Sequence, residues 1–328
     1  MSWSDRYAEW KGWRDGAAST GLMIQHGEVF EFDEPMRGGH MAVVKRKLPA
    51  GSKKKGKIKR SSAAVPIEGL SLPTERSVPS NKLSDFLILL FGEKKIGKTD
   101  LTAQFPNTFH LMTEPGGKAQ SIYQRPVNTW REFMGYVKLL EKDKRFQNVT
   151  IDTADILYQH AFDYVAQKEG FEHPSEEAYG KGWKAIRDEF TRWVLRLIAT
   201  GKGVTFISHA TEREVKMRGG EKYDRLQPTM SGQARDILEG LVDLWFYYGY
   251  DGGNRVLTIQ GSDYIGAGHR LKANFRYTDG SPISEIPMGH NAEEAYGNLI
   301  AAFQNKLDNP AVEPAVSKKK LTLKKREK

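Results

Sequence analysis

Six apolar residues, Phe86-Leu87-Ile88-Leu89-Leu90-Phe91, run directly into Gly92-Glu93-Lys94-Lys95-Ile96-Gly97-Lys98-Thr99. No other stretch limits the fold of this chain so strongly. An unbroken apolar run of that length reads as a strand buried on both faces. The residues after it fit G-x-x-x-x-G-K-[ST] without a mismatch. Each residue type in that pattern has a task. Gly92 and Gly97 let the backbone turn and bring its N–H groups close to phosphate oxygens. Lys98 places a cation on the outer phosphates, and the Thr99 hydroxyl suits Mg²⁺. A helix beginning at Lys98 adds the positive end of its dipole. Strand, glycine-bearing loop and helix in this order predict a bound nucleoside triphosphate held by Gly92, Glu93, Lys94, Lys95, Ile96, Gly97, Lys98, Thr99 and the adjoining Asp100.

The chain downstream alternates between the two periodicities. Apolar runs at Thr108–Thr113, Asn148–Ile151 and Gly203–Ser208 predict strands. Helical stretches are expected over Thr129–Lys142, Ala154–Lys168, Ala178–Thr200 and Ala292–Leu307, the first with Trp130, Phe133, Val137 and Leu140 on one stripe. Leu241–Tyr248 and Arg255–Gln260 read as strands joined by the turn Asp251-Gly252-Gly253-Asn254. Strands alternating with crossover helices mean an α/β fold with a mostly parallel sheet covered on both faces. Before this core, Gly27–Asp33 reads as a strand, with His40–Val44 as its hairpin partner.

Ligands of open α/β sheets gather at the carboxyl ends of the strands, so polar residues there are the candidates for chemistry. Asp152 terminates the strand Asn148–Ile151, where a second carboxylate beside Mg²⁺ is needed; capping the next helix, with Thr153 or Asp155 helping, is the plain alternative. Glu114 follows Thr113, placed to orient or deprotonate an attacking water, or to be only an exposed loop acid. Ser208 and His209 end the strand from Gly203, and His209 is a candidate sensor of the terminal phosphate. His110 lies inside a strand and is left as core or surface. The polar segment Glu212–Arg225 is either an exposed hairpin or a nucleic-acid contact through Arg213, Lys216, Arg218 and Lys222. Arg270, Lys272 and Arg276 are cations that can reach a phosphate across a subunit boundary, or a solvated basic face.

Charge is unevenly placed. The net charge is +9, but Lys45–Arg60 and Ser317–Lys328 carry +15 between them, which leaves −6 on the rest. Runs of this kind favour polyanions such as nucleic acid, or are solvated tails. Cysteine is absent, which excludes a disulfide framework and a thiolate zinc site and fits a reducing cytosol. The start has no apolar core of the signal-peptide kind, and no window approaches the ~18 apolar residues of a membrane span. The expected location is therefore cytoplasmic, with no membrane partner. The expected organisation is an N-terminal extension (1–44), a basic Ser/Pro/Gly-rich linker (45–82), an ATPase domain (83–307) and a disordered basic tail (308–328).

Taken together, the chain resembles a RecA-type ATPase core, and more narrowly the phage nucleotide-binding proteins of the AAA/RecA class that include Sak-type single-strand annealing recombinases. The resemblance covers about 83–307. It rests on Gly92–Thr99, Thr113-Glu114-Pro115-Gly116, Ile151-Asp152-Thr153, Tyr179-Gly180-Lys181-Gly182-Trp183, Ile207-Ser208-His209 and Pro228–Gly232. It implies ATP and Mg²⁺ as cofactors, Thr99 and Asp152 as the metal-holding pair, and assembly into a homo-oligomeric ring or filament. It further implies action on single-stranded DNA, in company with a single-strand-binding protein and in the host cytoplasm if the chain is phage-encoded. On that pattern Lys98 and Glu114 are catalytic, His209 is the switch, and Lys272 or Arg276 is the cation supplied in trans. The basic C-terminus departs from the acidic tails recombinases often carry, which favours DNA-stimulated ATP hydrolysis in annealing over strand exchange. A ring helicase, a DNA-packaging motor and a nucleotide-gated replication scaffold are the competing expectations.

Overall fold

The computed structural model describes residues 72–216 and 219–310, together with the backbone of Gly21–Gln25 and Glu28–Phe32. The chain divides into two units, Met1–Glu75 and Arg76–Lys328. In the first, β1 (Gly21–Gln25) pairs antiparallel with β2 (Glu28–Phe32). The expected hairpin partner His40–Val44 lies outside the described residues. So do both basic runs, Lys45–Arg60 and Ser317–Lys328.

The second unit is built on a ten-stranded sheet. In chain order its elements are β3 (Leu87–Gly92), α1 (Lys98–Ala103), β4 (Thr108–Met112), β5 (Tyr123–Pro126), α2 (Trp130–Leu140), β6 (Asn148–Asp152), α3 (Ala154–Glu169) and α4 (Lys181–Ile198). Then come β7 (Gly203–Lys216), β8 (Lys222–Pro228), α5 (Gly232–Leu241), β9 (Leu244–Asp251), β10 (Asn254–Thr258), β11 (Gly268–His269), β12 (Glu285–Pro287) and α6 (Ala292–Phe303). Across the sheet the order is β12-β10-β9-β3-β7-β6-β4-β5, with β11 on β9 and β8 on β7. From β9 to β5 every neighbouring pair is parallel. This is the α/β architecture with a mostly parallel, helix-flanked sheet that the RecA-like reading requires.

Successive residues of a strand point to opposite faces, and β3 uses both. Leu89 enters one apolar cluster with Val149, Ile151, Val204 and Phe206, covered by α2 to α5. Ile88 and Leu90 enter the other, with Leu244, Phe246 and Leu257, covered by α1 and α6. Helix α2 buries the predicted stripe of Trp130, Phe133, Val137 and Leu140. Its N-cap Thr129 accepts from Glu132 N, while Glu132 accepts from Asn128 N, so one first-turn donor and the N–H just before the cap are both satisfied.

Several boundaries differ from the sequence reading, each for a local reason. Helix α4 starts at Lys181 rather than Ala178, because Tyr179 (φ 60°) and Gly180 (φ 68°) are left-handed and cannot continue a helix. Helix α6 ends at Phe303, with left-handed Asn305 (φ 60°) stopping it short of Leu307. Strand β9 begins at Leu244, because Leu241 closes α5 and Asp243 N is bonded to Leu87 O. Strand β7 runs on past Ser208 to Lys216 and folds back antiparallel as β8. Strand β5 was not expected at all. The turn at Gly252 (φ 52°) and Gly253 (φ 87°) joins β9 to β10 as predicted.

Two glycines test this packing. At Gly203 a Cβ would fall 1.8 Å from Ser84 O, whereas at Gly297, exposed in α6, nothing stands within 4 Å. Gly203→Ala is expected to destabilise the protein by about 1–3 kcal/mol through overpacking against backbone. Gly297→Ala is expected to stabilise it by about 0.5–1 kcal/mol by removing a helix-interior glycine. Chemical denaturation of the two variants checks both signs.

Candidate nucleotide site at the strand ends

The loop from Gly92 to Thr99 is fixed at both ends by packing. At Gly92 a Cβ would lie 2.0 Å from Tyr248 O, so only glycine lets β3 lie against β9 here. Glu93 N then donates to Tyr248 O at 3.2 Å. In the middle, Ile96 is buried in the α1/α6 cluster and pins the loop to the core. At the far end Gly97 has φ 107°, and its carbonyl accepts from Leu101 N as α1 begins. Glu93, Lys94 and Lys95 are exposed.

Lys98 is turned into this loop. Its Nζ donates to Gly92 O at 3.0 Å and to Glu93 O at 2.7 Å, and only 6% of the residue is exposed. Burial disfavours its charged form and lowers its pKa to about 8, against the opposing pull of Asp152, Glu114 and Asp155. The amine is therefore held inside the loop by two backbone carbonyls.

Thr99 and Asp152 meet. The Thr99 hydroxyl donates to Asp152 Oδ2 at 2.6 Å. Burial raises the Asp152 pKa and the nearby Glu114 charge adds to this, while the Thr99 hydrogen bond and Lys98 oppose it. No group of three or more His, Cys, Asp or Glu able to hold a metal occurs among the described residues. A hydroxyl and a carboxylate are hard oxygen donors, and Mg²⁺ is commonly held by one or two such groups plus phosphate oxygens and water. The pair fits that ion.

Glu114 stands beside them. Its Oε1 accepts from Thr153 Oγ1 at 2.8 Å, and its Oε2 lies 3.4 Å from His209 Nε2. The ends of β4 and β6 are stitched together beneath it. Thr113 N donates to Asp152 O at 2.8 Å, and Thr153 N donates to Thr113 Oγ1 at 2.6 Å. Thr153 therefore spends its hydroxyl on Glu114 and makes no side-chain cap to α3. Asp155 does not cap either; it accepts from Thr229 Oγ1 at the foot of β8. The peptide between Asp152 and Thr153 is cis. His110 is fully buried and Thr102 Oγ1 is 3.2 Å from its Nε2; burial lowers its pKa to about 4, so it is a neutral core residue.

Lys98, Thr99, Asp152, Glu114 and His209 are thus gathered in one place, but Lys272 and Arg276 are not. They lie in the segment after β11, where Arg276 donates to Gly280 O and Lys272 O. Arg270 is bonded to Gly240 O at 2.7 Å. In the β7–β8 hairpin, Arg213 donates to Thr229 O and Met230 O, and Lys222 pairs with Glu214 at 2.8 Å. Arg218 lies outside the described residues. Sequence reasoning missed Arg255, which approaches Gly97 from β10, and Gln120, which donates to Asp100. Neither sits in a motif or at the end of an apolar run.

The profile of the AAA_24 family, an AAA domain, matches residues 85–271. The uncharacterized protein YorG, derived from the SPbeta prophage of Bacillus subtilis strain 168, is 29% identical over 143 residues, covering 42% of this chain and 44% of that protein. The match therefore spans less than half the length of that relative. Among solved structures, a KaiC-like protein of Pyrococcus horikoshii OT3 aligns with TM-score 0.38 at 13% identity, over 64% of this chain and 87% of its own. The RadB recombinase aligns with TM-score 0.37 at 13% identity, over 65% and 89%.

With Lys98 as the phosphate ligand, its burial is expected to make nucleotide affinity depend on pH. Burial holds the pKa of the free amine down to about 8, and a phosphate beside it would raise it. Affinity for ADP is expected to be flat below about pH 8 and to fall roughly tenfold per unit above it. Calorimetric titration with ADP between about pH 7 and pH 9.5 reads this directly; a flat profile across that range excludes it.

Proposed function

Because this chain belongs to the AAA_24 family of AAA domains, we propose that it binds and hydrolyses ATP and acts on single-stranded DNA in recombination or strand annealing. The observation that carries the proposal is the position of Glu114. It joins Thr153 at the end of β6 to His209, and β7 continues unbroken from His209 into the β7–β8 hairpin.

In this reading Lys98 leaves the Gly92 and Glu93 carbonyls for the β- and γ-phosphates, and the loop N–H groups cradle them. Thr99 and Asp152 hold Mg²⁺, which supplies neutralisation of the phosphate charge. Glu114 orients a water for in-line attack and accepts its proton. His209 reads the γ-phosphate through its contact with Glu114. Its state passes to the hairpin through Thr229, whose N–H donates to His209 O at 2.9 Å and whose hydroxyl donates to Asp155. Lys272 or Arg276 then acts on the site of a neighbouring copy in a ring or filament, which agrees with their distance from the site of their own chain.

Residues 83–307 are proposed as the ATPase unit, and the basic linker and tail as its polyanion-binding arms. The prophage origin of one relative supports a phage setting, and with it the host cytoplasm and a single-strand-binding protein as company. No helix among the described residues is long and apolar enough to cross a membrane.

The deciding measurement is the ATPase rate with and without single-stranded DNA, alongside annealing of complementary strands. Stimulation and annealing are both expected. Turnover indifferent to DNA would instead favour a scaffold, and directional strand separation a motor. Lys98→Ala is expected to abolish turnover and DNA-dependent activity together. Glu114→Gln is expected to lower kcat by about 10²- to 10⁴-fold while ATP binding persists.

A further inference from the structure

One cation near the loop has no part in the chemistry above. Arg255 lies on β10, opposite Tyr250 of β9, and its own carbonyl accepts from Met288 N at 2.9 Å. Its side chain is half-buried and points along the sheet toward the phosphate loop. The Cβ position of Gly97 is 3.8 Å from Arg255 Nη1 and 3.6 Å from Asp100 Oδ2. The guanidinium lies beside the phenol of Tyr248, a residue 1% exposed whose backbone abuts Gly92. Among the described residues Arg255 enters no ion pair, unlike Arg145, Arg192 and Arg196. Asp100 is occupied by Gln120, whose Oε1 is buried without a hydrogen-bond partner. A positive charge is therefore held against the Gly92–Thr99 loop, with no ion pair of its own among the described residues.

The sheet order decides which part of a nucleotide it faces. Asp152 ends β6, Glu114 follows β4, and His209 lies within β7 level with Gly92, all on one side of β3. Arg255 stands on the other side, beyond β9. If the γ-phosphate points toward Glu114, Arg255 meets the end of the nucleotide nearer the nucleoside. We propose that Arg255 is a nucleotide contact made within the same chain, donating to α- and β-phosphate oxygens of a nucleoside di- or triphosphate from the β9–β10 side of the loop. This rests on the reading of Gly92–Thr99 as a nucleotide site and adds to it a residue outside the motif.

Such a contact is equal for ADP and ATP and equal in ground and transition states. It sets affinity and leaves the chemical step alone. The test is calorimetric binding of ADP and ATP with Mg²⁺ to the full chain, with steady-state hydrolysis, for the wild type, Arg255→Gln and Arg255→Lys. Arg255→Gln removes a charge that enters no ion pair among the described residues, so its apo melting temperature is expected to match the wild type. It is expected to weaken ADP and ATP alike, by about tenfold, with kcat within about twofold at saturating ATP. Arg255→Lys is expected to recover part of the loss, because an ammonium keeps the charge but not the two-pronged geometry. Unchanged affinities in both variants overturn the proposal. So does a loss confined to ATP, which would place Arg255 at the γ-phosphate. If the wild type binds neither nucleotide, the loop reading itself falls and this contact with it.

Discussion

The ladder between four parallel strands sets everything at the site. Gly92 is level with His209, Ile207 with Asp152, and Asp152 with Met112. A one-residue slip in any of these pairings would exchange the side chains that β3, β6 and β7 send into the two faces of the sheet, so the packing of the two buried clusters enforces the register. Once it is enforced, the polar residues that follow these runs are brought to the same carboxyl edge of the sheet. Thr99, Asp152, Glu114 and His209 meet because Leu89, Ile151, Leu111 and Phe206 are packed beneath them. The insertion of β7 between β3 and β6 matters most. It places a histidine between the loop and the carboxylates, on a strand that then leaves the core.

That dependence also explains what could be read from the chain before folding. The phosphate loop was legible because its residue types answer backbone demands: Gly92 must admit Tyr248 O, and Gly97 must take φ 107°. The strand ends were legible because β3, β4, β6 and the first half of β7 are continuous apolar runs with abrupt polar stops. Strand β5 was not, because Tyr123–Pro126 is an edge strand with exposed side chains and a proline, so it carries no burial pattern. The outer half of β7 alternates half-buried and exposed polar residues, which looks the same in a hairpin and in a loop. Arg255 was invisible for a different reason. Its approach to Gly97 is created by the β9–β10 turn, which brings together residues far apart in sequence, and no local pattern records such a meeting.

The site is also tuned by what it buries. Lys98 and Asp152 are both nearly inaccessible, and burial pushes each toward its neutral form: the amine pKa falls and the carboxyl pKa rises. Their mutual attraction only partly offsets this. The arrangement is therefore one that added charge stabilises. In the proposed site a polyphosphate would restore the Lys98 proton and a divalent cation the Asp152 carboxylate. Binding of the two together would then be favoured over binding of either alone, because each would neutralise the field the other introduces.

The hairpin beyond His209 does not behave as a simple basic patch. Arg213 is spent on the Thr229 and Met230 carbonyls, Arg225 reaches Ile265 O, and Lys222 is balanced by Glu214. Glu212, Glu221 and Asp224 further offset the cations among them. Internal bonds of this kind stiffen β7 and β8 against the 262–266 loop, where Leu226 N donates to Tyr264 O and Gly266 N to Leu226 O. A stiff, nearly neutral hairpin suits transmission of a displacement from His209 better than it suits holding a polyanion. In the proposed function, affinity for nucleic acid is assigned chiefly to Lys45–Arg60 and Ser317–Lys328, which carry the excess positive charge while the rest of the chain is net negative. Binding through such runs is dominated by counterion release and falls steeply with salt. On that proposal the work divides accordingly, with residues 83–307 supplying the nucleotide cycle and the basic runs supplying the grip.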